Sequence, residues 1–152
     1  MQKIKSIEDL GIASYALMHN YKLAGRRGRE VLFYIEEKDE DKFDEICLDY
    51  LSSEFHRFDS CIMSLKKIRE YNFKDTGHVR FATDLGVAAY VLMHKYKVLG
   101  KKGKYIYFEV ESDEVSGKFD ELAFEYLTSD FHRFDSCLMS LKKINEYISD
   151  KK

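Results

Sequence analysis

No proline occurs in the 152 residues, which, with the short link between the two halves of the chain, argues against two independently tumbling units. Cysteine is scarce and odd in number. Cys47, Cys61 and Cys137 are the full set, and Cys47 stands opposite Ala123 when the two similar halves of the chain are aligned, which argues against a paired disulfide framework and points to a reducing compartment. Apolar runs of membrane-spanning length are missing, and the opening MQKIKSIED has neither the apolar core nor the cleavage region of a secretory signal. A cytoplasmic protein with no membrane partner is expected. An excess of charge of either sign is missing too: Lys and Arg total 25 against 27 Asp and Glu, a net charge of −2. That balance provides no global attraction to nucleic acid, so any attraction must come from a local patch.

Apolar residues at 45%, with 11 Phe and 11 Tyr, suffice for a packed core, and 34% charged residues supply a solvated exterior. The chief feature is self-similarity. The stretch 7–36, IEDLGIASYALMHNYKLAGRRGREVLFYIE, returns at 82–111 as ATDLGVAAYVLMHKYKVLGKKGKYIYFEVE. The stretch 42–71 returns at 118–147, the spacing having grown by one residue in the acidic segment between. The unit is therefore half the chain, and each half is small enough to need its twin for a sufficient core.

Each half opens with a short alternating stretch, 3–7 or 78–82, that predicts a strand. Asp9 and Asp84 stand where helix N-caps belong, and behind them Leu10, Ala13 and Leu17, or Leu85, Ala88 and Leu92, recur at helical spacing. Gly11 and Gly86 inside that helix predict close packing on one side. Two strands follow, 21–25 and 31–35, joined by a turn at Gly25 to Arg29, with Gly100 to Lys104 as the turn of the second half. An acidic loop at 36–41, or 111–116, leads to a second helix marked by Phe43, Ile46, Cys47, Tyr50 and Leu51. Ser53 or Ser129 then caps a third helix, whose apolar face carries Phe58, Cys61, Ile62, Leu65 and Ile68 while Lys66, Lys67 and Arg69 face elsewhere. The expectation is an α+β fold: two tandem β-α-β-β-α-α units, 1–73 and 78–152, joined by a short linker at 74–77 and packed as a compact pseudo-two-fold dimer.

The run Ala82 to Tyr90, Tyr96-Lys97, the hairpin strand Tyr105 to Val110 and the stretch Phe131 to Asp135 resemble a small domain family of unknown function from bacterial and phage genomes. The resemblance covers each half almost completely. It implies a fold and a phage or mobile-element setting, with no catalytic residue attached.

The longest identity between halves is FHRFDSC, 55–61 and 131–137. His56, Arg57 and Asp59, with His132, Arg133 and Asp135, read as a structural motif: an ion pair or cap at a helix start that holds the two C-terminal helices in register. His56 and Cys61 lie five residues apart, a spacing that matches no familiar metal pair on a helix, and Cys61 falls on the apolar face, so neither a metal site nor a nucleophile is expected. The two hairpin turns carry the clearest surface signal. Arg26, Arg27 and Arg29 recur as Lys101, Lys102 and Lys104, charge kept and residue type changed, which fits generic attraction to anions better than a bidentate fork. Tyr34, Tyr105 and Tyr107 lie on the following strands, on the face opposite Phe33 and Phe108, which alternation sends to the core.

These features predict a non-enzymatic binding protein, without cofactor, that engages a host macromolecule. A host or defence protein is the favoured partner, because mixed charge and exposed tyrosines suit a protein interface. The alternative is nucleic-acid binding through the two basic turns.

Overall fold

The structure is a computed structural model that describes residues 1–70, 78–110 and 113–144. Twelve elements follow in order: β1 (Gln2–Ile7), α1 (Leu10–Met18), β2 (Lys22–Arg27), β3 (Glu30–Glu36), α2 (Glu40–Tyr50), α3 (Glu54–Leu65), β4 (Val79–Ala82), α4 (Leu85–Met93), β5 (Lys97–Lys102), β6 (Tyr105–Glu109), α5 (Asp113–Tyr126) and α6 (Asp130–Leu141). The fold is mixed α and β, with six helices and two three-stranded antiparallel sheets among the described residues, ordered β1-β3-β2 and β4-β6-β5. The central strand of each sheet is the second arm of a hairpin. The opening strand pairs on its far side, so the helix between β1 and β2 crosses over one face.

The local signals explain these elements. Asp9 accepts a hydrogen bond from the Ile12 amide, and Asp84 accepts one from the Val87 amide, each at 3.0 Å, which satisfies a first-turn donor of α1 or α4. Asn20 and Lys95 end these helices in the left-handed region, at φ 69° and 70°. Ser53 and Ser129 accept from the His56 and His132 amides at 3.3 Å, as their positions predict. Gly11 and Gly86 are buried.

Two boundaries differ from expectation. Gly25 and Gly100 are not turn residues; at φ 147° and 148° they form bulges where β2 and β5 slip register against their partners. The turn itself is tighter, with Gly28 and Gly103 at φ 62° and 61°, and the flanking arginine and lysine pairs belong to the strands. The acidic segments are also more helical than a loop. A 3₁₀ turn at Glu37–Asp39 runs into α2, and α5 already starts at Asp113, consistent with the preference of carboxylates for the positive end of a helix. The expected linker 74–77 lies outside the described residues.

The compact units do not follow the repeat boundaries 1–73 and 78–152. Unit 1 is Met1–His56 with Arg133–Lys152, and unit 2 is Arg57–His132. Each contains the first five elements of one sequence half and most of the last helix of the other. The reason lies in the apolar faces. In unit 1, Leu141 of α6 is buried with Ala13 and Ala16 of α1, with Val31, Phe33 and Ile35 of β3, and with Phe43 of α2. Phe134 stacks on Tyr50 with ring centroids 6.0 Å apart and planes 16° apart. In unit 2, Phe58 of α3 stacks on Tyr126 in the same way, at 6.0 Å and 20°. Phe33 and Phe108 are fully buried, as strand alternation requires.

The opening strand of unit 1 is tied to α2 by charge. Lys5 meets Glu40 at 2.9 Å and Asp44 at 3.4 Å, and Lys3 meets Glu40 at 3.0 Å. These contacts, led by the hydrogen bond to Glu40, hold the Lys5 ammonium above its usual range, and Lys5 and Lys3 hold the Glu40 carboxyl below its own. In unit 2, Arg80 of β4 pairs with Asp120 of α5.

Candidate functional site

The basic hairpins split their cations between two faces. In β2 and β3 the register places Arg26 opposite Val31 and Arg27 opposite Glu30; in β5 and β6 it places Lys101 opposite Ile106 and Lys102 opposite Tyr105. Val31 and Ile106 face the helices and are buried. Arg26 and Lys101 therefore lie on the helix side, half-buried, while Arg27 and Lys102 stand exposed on the outer side. Arg27 is paired with Glu30 at 2.9 Å. The turn residues Arg29 and Lys104 project from the hairpin tips.

On the helix side each hairpin borders a cavity. In unit 2 it has a volume of about 270 Å³; Lys101 and Lys104 line it from the hairpin, and Lys66 from the end of α3. Its apolar lining is Leu65, Leu85 and Ile106. In unit 1 the cavity measures about 340 Å³, with Arg26, Arg29 and Lys142 as cations and Leu10, Val31 and Leu141 as apolar lining. Position by position the two linings correspond across the repeat. One pair changes charge: Glu8 lines the first cavity where Thr83 lines the second. In unit 2 the segment after α3 also runs beside the hairpin, since the Lys101 amide donates to the Arg69 carbonyl at 3.1 Å and Glu70 bridges Lys101 in parallel sense. Among the described residues no ion pair engages Lys66, Lys101 or Lys104.

Sequence reasoning placed Lys66 off the apolar face of the third helix and did not single out Lys142. The structure brings both to the hairpins, because α3 and α6 pack on the unit that contains the other half's strands. The identical Leu-Lys-Lys at 65–67 and 141–143 was the available signal.

The tyrosines do not form one group. Tyr34 lies on the outer face of the first sheet, where Lys22 sits 5.4 Å from its ring centroid. Tyr105 and Tyr107 lie on the outer face of the second sheet, 6.4 Å apart, and both meet Phe81 of β4, at 5.0 and 5.9 Å. Phe81, which strand-level reading passed over, is 53% exposed. Ser6, Glu30 and Leu32 occupy the corresponding places on the first sheet, so this aromatic surface belongs to unit 2 alone.

The FHRF motif is accounted for by packing. Arg57 donates to the Met93 carbonyl and Arg133 to the Met18 carbonyl, each at 2.9 Å. A cation at the last carbonyl of α4 or α1 satisfies an orphan acceptor and complements the helix dipole. His56 and His132 stand edge-on to Tyr50 and Tyr126, at 5.4 and 5.3 Å. His19 and His94 bond the Tyr15 and Tyr90 carbonyls through Nδ1 at 2.8 Å. Asp59 and Asp135 are half-buried on α3 and α6. Burial raises the thiol pKa of Cys61 and Cys137 despite the nearby Arg57 and Arg133, and pushes Cys47 up to about 11. A protonated thiol is a poor nucleophile and a poor metal ligand. Among the described residues no group of three or more His, Cys, Asp or Glu is placed to hold a metal, and no helix is long and apolar enough to cross a membrane.

A second surface feature repeats. At the end of α2, Leu48 and the following Leu51 are 68% and 54% exposed; at the end of α5, Phe124 and the following Leu127 are 77% and 53% exposed. Their three-residue spacing places each pair on one helix face. No family model, curated protein or solved structure matches the chain.

Proposed function

We propose that this chain is a non-enzymatic binding protein whose target is another protein, with inhibition of a host protein as one form that binding takes. The carrying observation is the pair of apolar helix surfaces, Leu48 with Leu51 and Phe124 with Leu127, at matching positions in the two units. Large apolar side chains left in water at repeated positions form exposed apolar patches of the kind that mark interaction sites. A tandem origin of the two halves belongs to the same proposal, because it supplies two related surfaces on one chain and hence avidity. The alternative, nucleic-acid binding through the hairpins, is favoured by the cations at both tips. It is disfavoured by their division between two faces and, in the first hairpin, by the Arg27–Glu30 pair, which takes one cation out of any phosphate track.

The test compares capture by the native chain with capture by Leu48→Glu and Phe124→Glu, alone and combined, across a salt series. Each side chain is exposed, so folding is expected to persist. Retention of a defined protein that falls at least tenfold in the double variant supports the reading. Retention of nucleic acid that weakens steeply with salt and ignores both substitutions refutes it.

A further inference from the structure

The two hairpin cavities combine three features that point to one kind of ligand. Each gathers three cations from separate elements, two from the hairpin and one from the end of a helix. Each is lined beneath them by three aliphatic side chains, and among the described residues no aromatic ring lines it to stack on a nucleobase. Each has room for about one or two side chains, at the lower end of the range for ligand pockets. We propose that these cavities are twin docking subsites for an acidic peptide segment with an aliphatic anchor: the anchor seats on Leu65, Leu85 and Ile106, or their counterparts, and flanking carboxylates meet the cations. The inference rests on the protein-binding reading and specifies the chemistry of the partner's docking segment.

The difference between the cavities makes the inference testable within one molecule. Glu8 cancels part of the positive field in unit 1, whereas Thr83 leaves the field in unit 2 intact. The unit 2 cavity is therefore the tighter site, and exchanging these two residues reverses the order. Both are exposed, so the exchange does not disturb the core.

The experiment titrates the isotopically labelled full chain with a capped pentapeptide, Asp-Glu-Leu-Glu-Asp, and follows backbone amide shifts at 26–31 and 101–106. Saturable shifts at both hairpins are expected, tighter at 101–106. Glu8→Thr should tighten the first site about two- to fivefold, and Thr83→Glu should weaken the second by a similar factor, the worth of one near-surface charge. Lys66→Ser should weaken only the unit 2 site, and Lys142→Ser only the unit 1 site. The peptide with serine in place of leucine should bind several-fold more weakly than the parent. Equal binding of the two peptides, or of inorganic phosphate, overturns the aliphatic anchor; shifts indifferent to the Glu8 and Thr83 exchange overturn the site. A thymidine oligonucleotide that shifts both hairpins while the pentapeptide does not assigns them to nucleic acid and overturns the inference as well. If Leu48→Glu with Phe124→Glu abolishes protein capture but the pentapeptide fails, the general reading survives and this one falls.

Discussion

Truncation of Leu141 to alanine probes the exchange of the last helix between sequence halves. Leu141 is 1% exposed and belongs to the unit 1 core with Val31 and Phe33. Removing its side chain should cost about 2–5 kcal/mol, transfer and cavity terms together. Against a typical total of about 5–15 kcal/mol, this leaves the variant folded in dilute denaturant. The informative quantity is its coupling to a second truncation. Val31, 2% exposed, shares the unit 1 cavity and core with Leu141, whereas its counterpart Ile106, 6% exposed, faces the unit 2 cavity with Leu65. Leu141→Ala with Val31→Ala should show an interaction energy of about 0.5–3 kcal/mol, while Leu141→Ala with Ile106→Ala should add within about 0.5 kcal/mol. Urea unfolding of the native chain, the three single and the two double variants, followed by far-ultraviolet circular dichroism, measures both. Coupling to Ile106 and additivity with Val31 would mean that α6 packs on its own sequence half, and the unit assignment would be wrong.

Removing the guanidinium in Arg133→Gln leaves the Met18 carbonyl without that donor and the end of α1 without its cation; a loss of about 1–2 kcal/mol is expected, read as a lower urea midpoint. High pH should destabilise the fold through Cys47, whose raised pKa means that the unfolded state releases its proton first. Its contribution is intact below pH 9.0 and declines toward about pH 11, so stability falls across that window. The Cys47→Ala variant should show a shallower fall in stability between those pH values, and an unchanged slope would show that burial does not govern this thiol.

Local order was determined by the sequence itself. The caps Asp9 and Asp84, the burial of Phe33 and Phe108 by alternation, the serine caps at 53 and 129 and the recurrence of twelve elements follow from rules that act over a few residues. Where the turns begin was harder, because Gly25 and Gly100 adopt positive φ equally well in a bulge or a turn, and only strand pairing distinguishes the two. The partner of an amphipathic helix was not determined locally at all. The apolar faces of α3 and α6 fit either sequence half equally, since the two halves present nearly the same residues to them. The tertiary structure alone decided that Phe58 meets Tyr126 and that Phe134 meets Tyr50. That choice carries Lys66 and Lys142 to the basic hairpins and so creates the cavities, whose residues are far apart in the chain and converge only through packing.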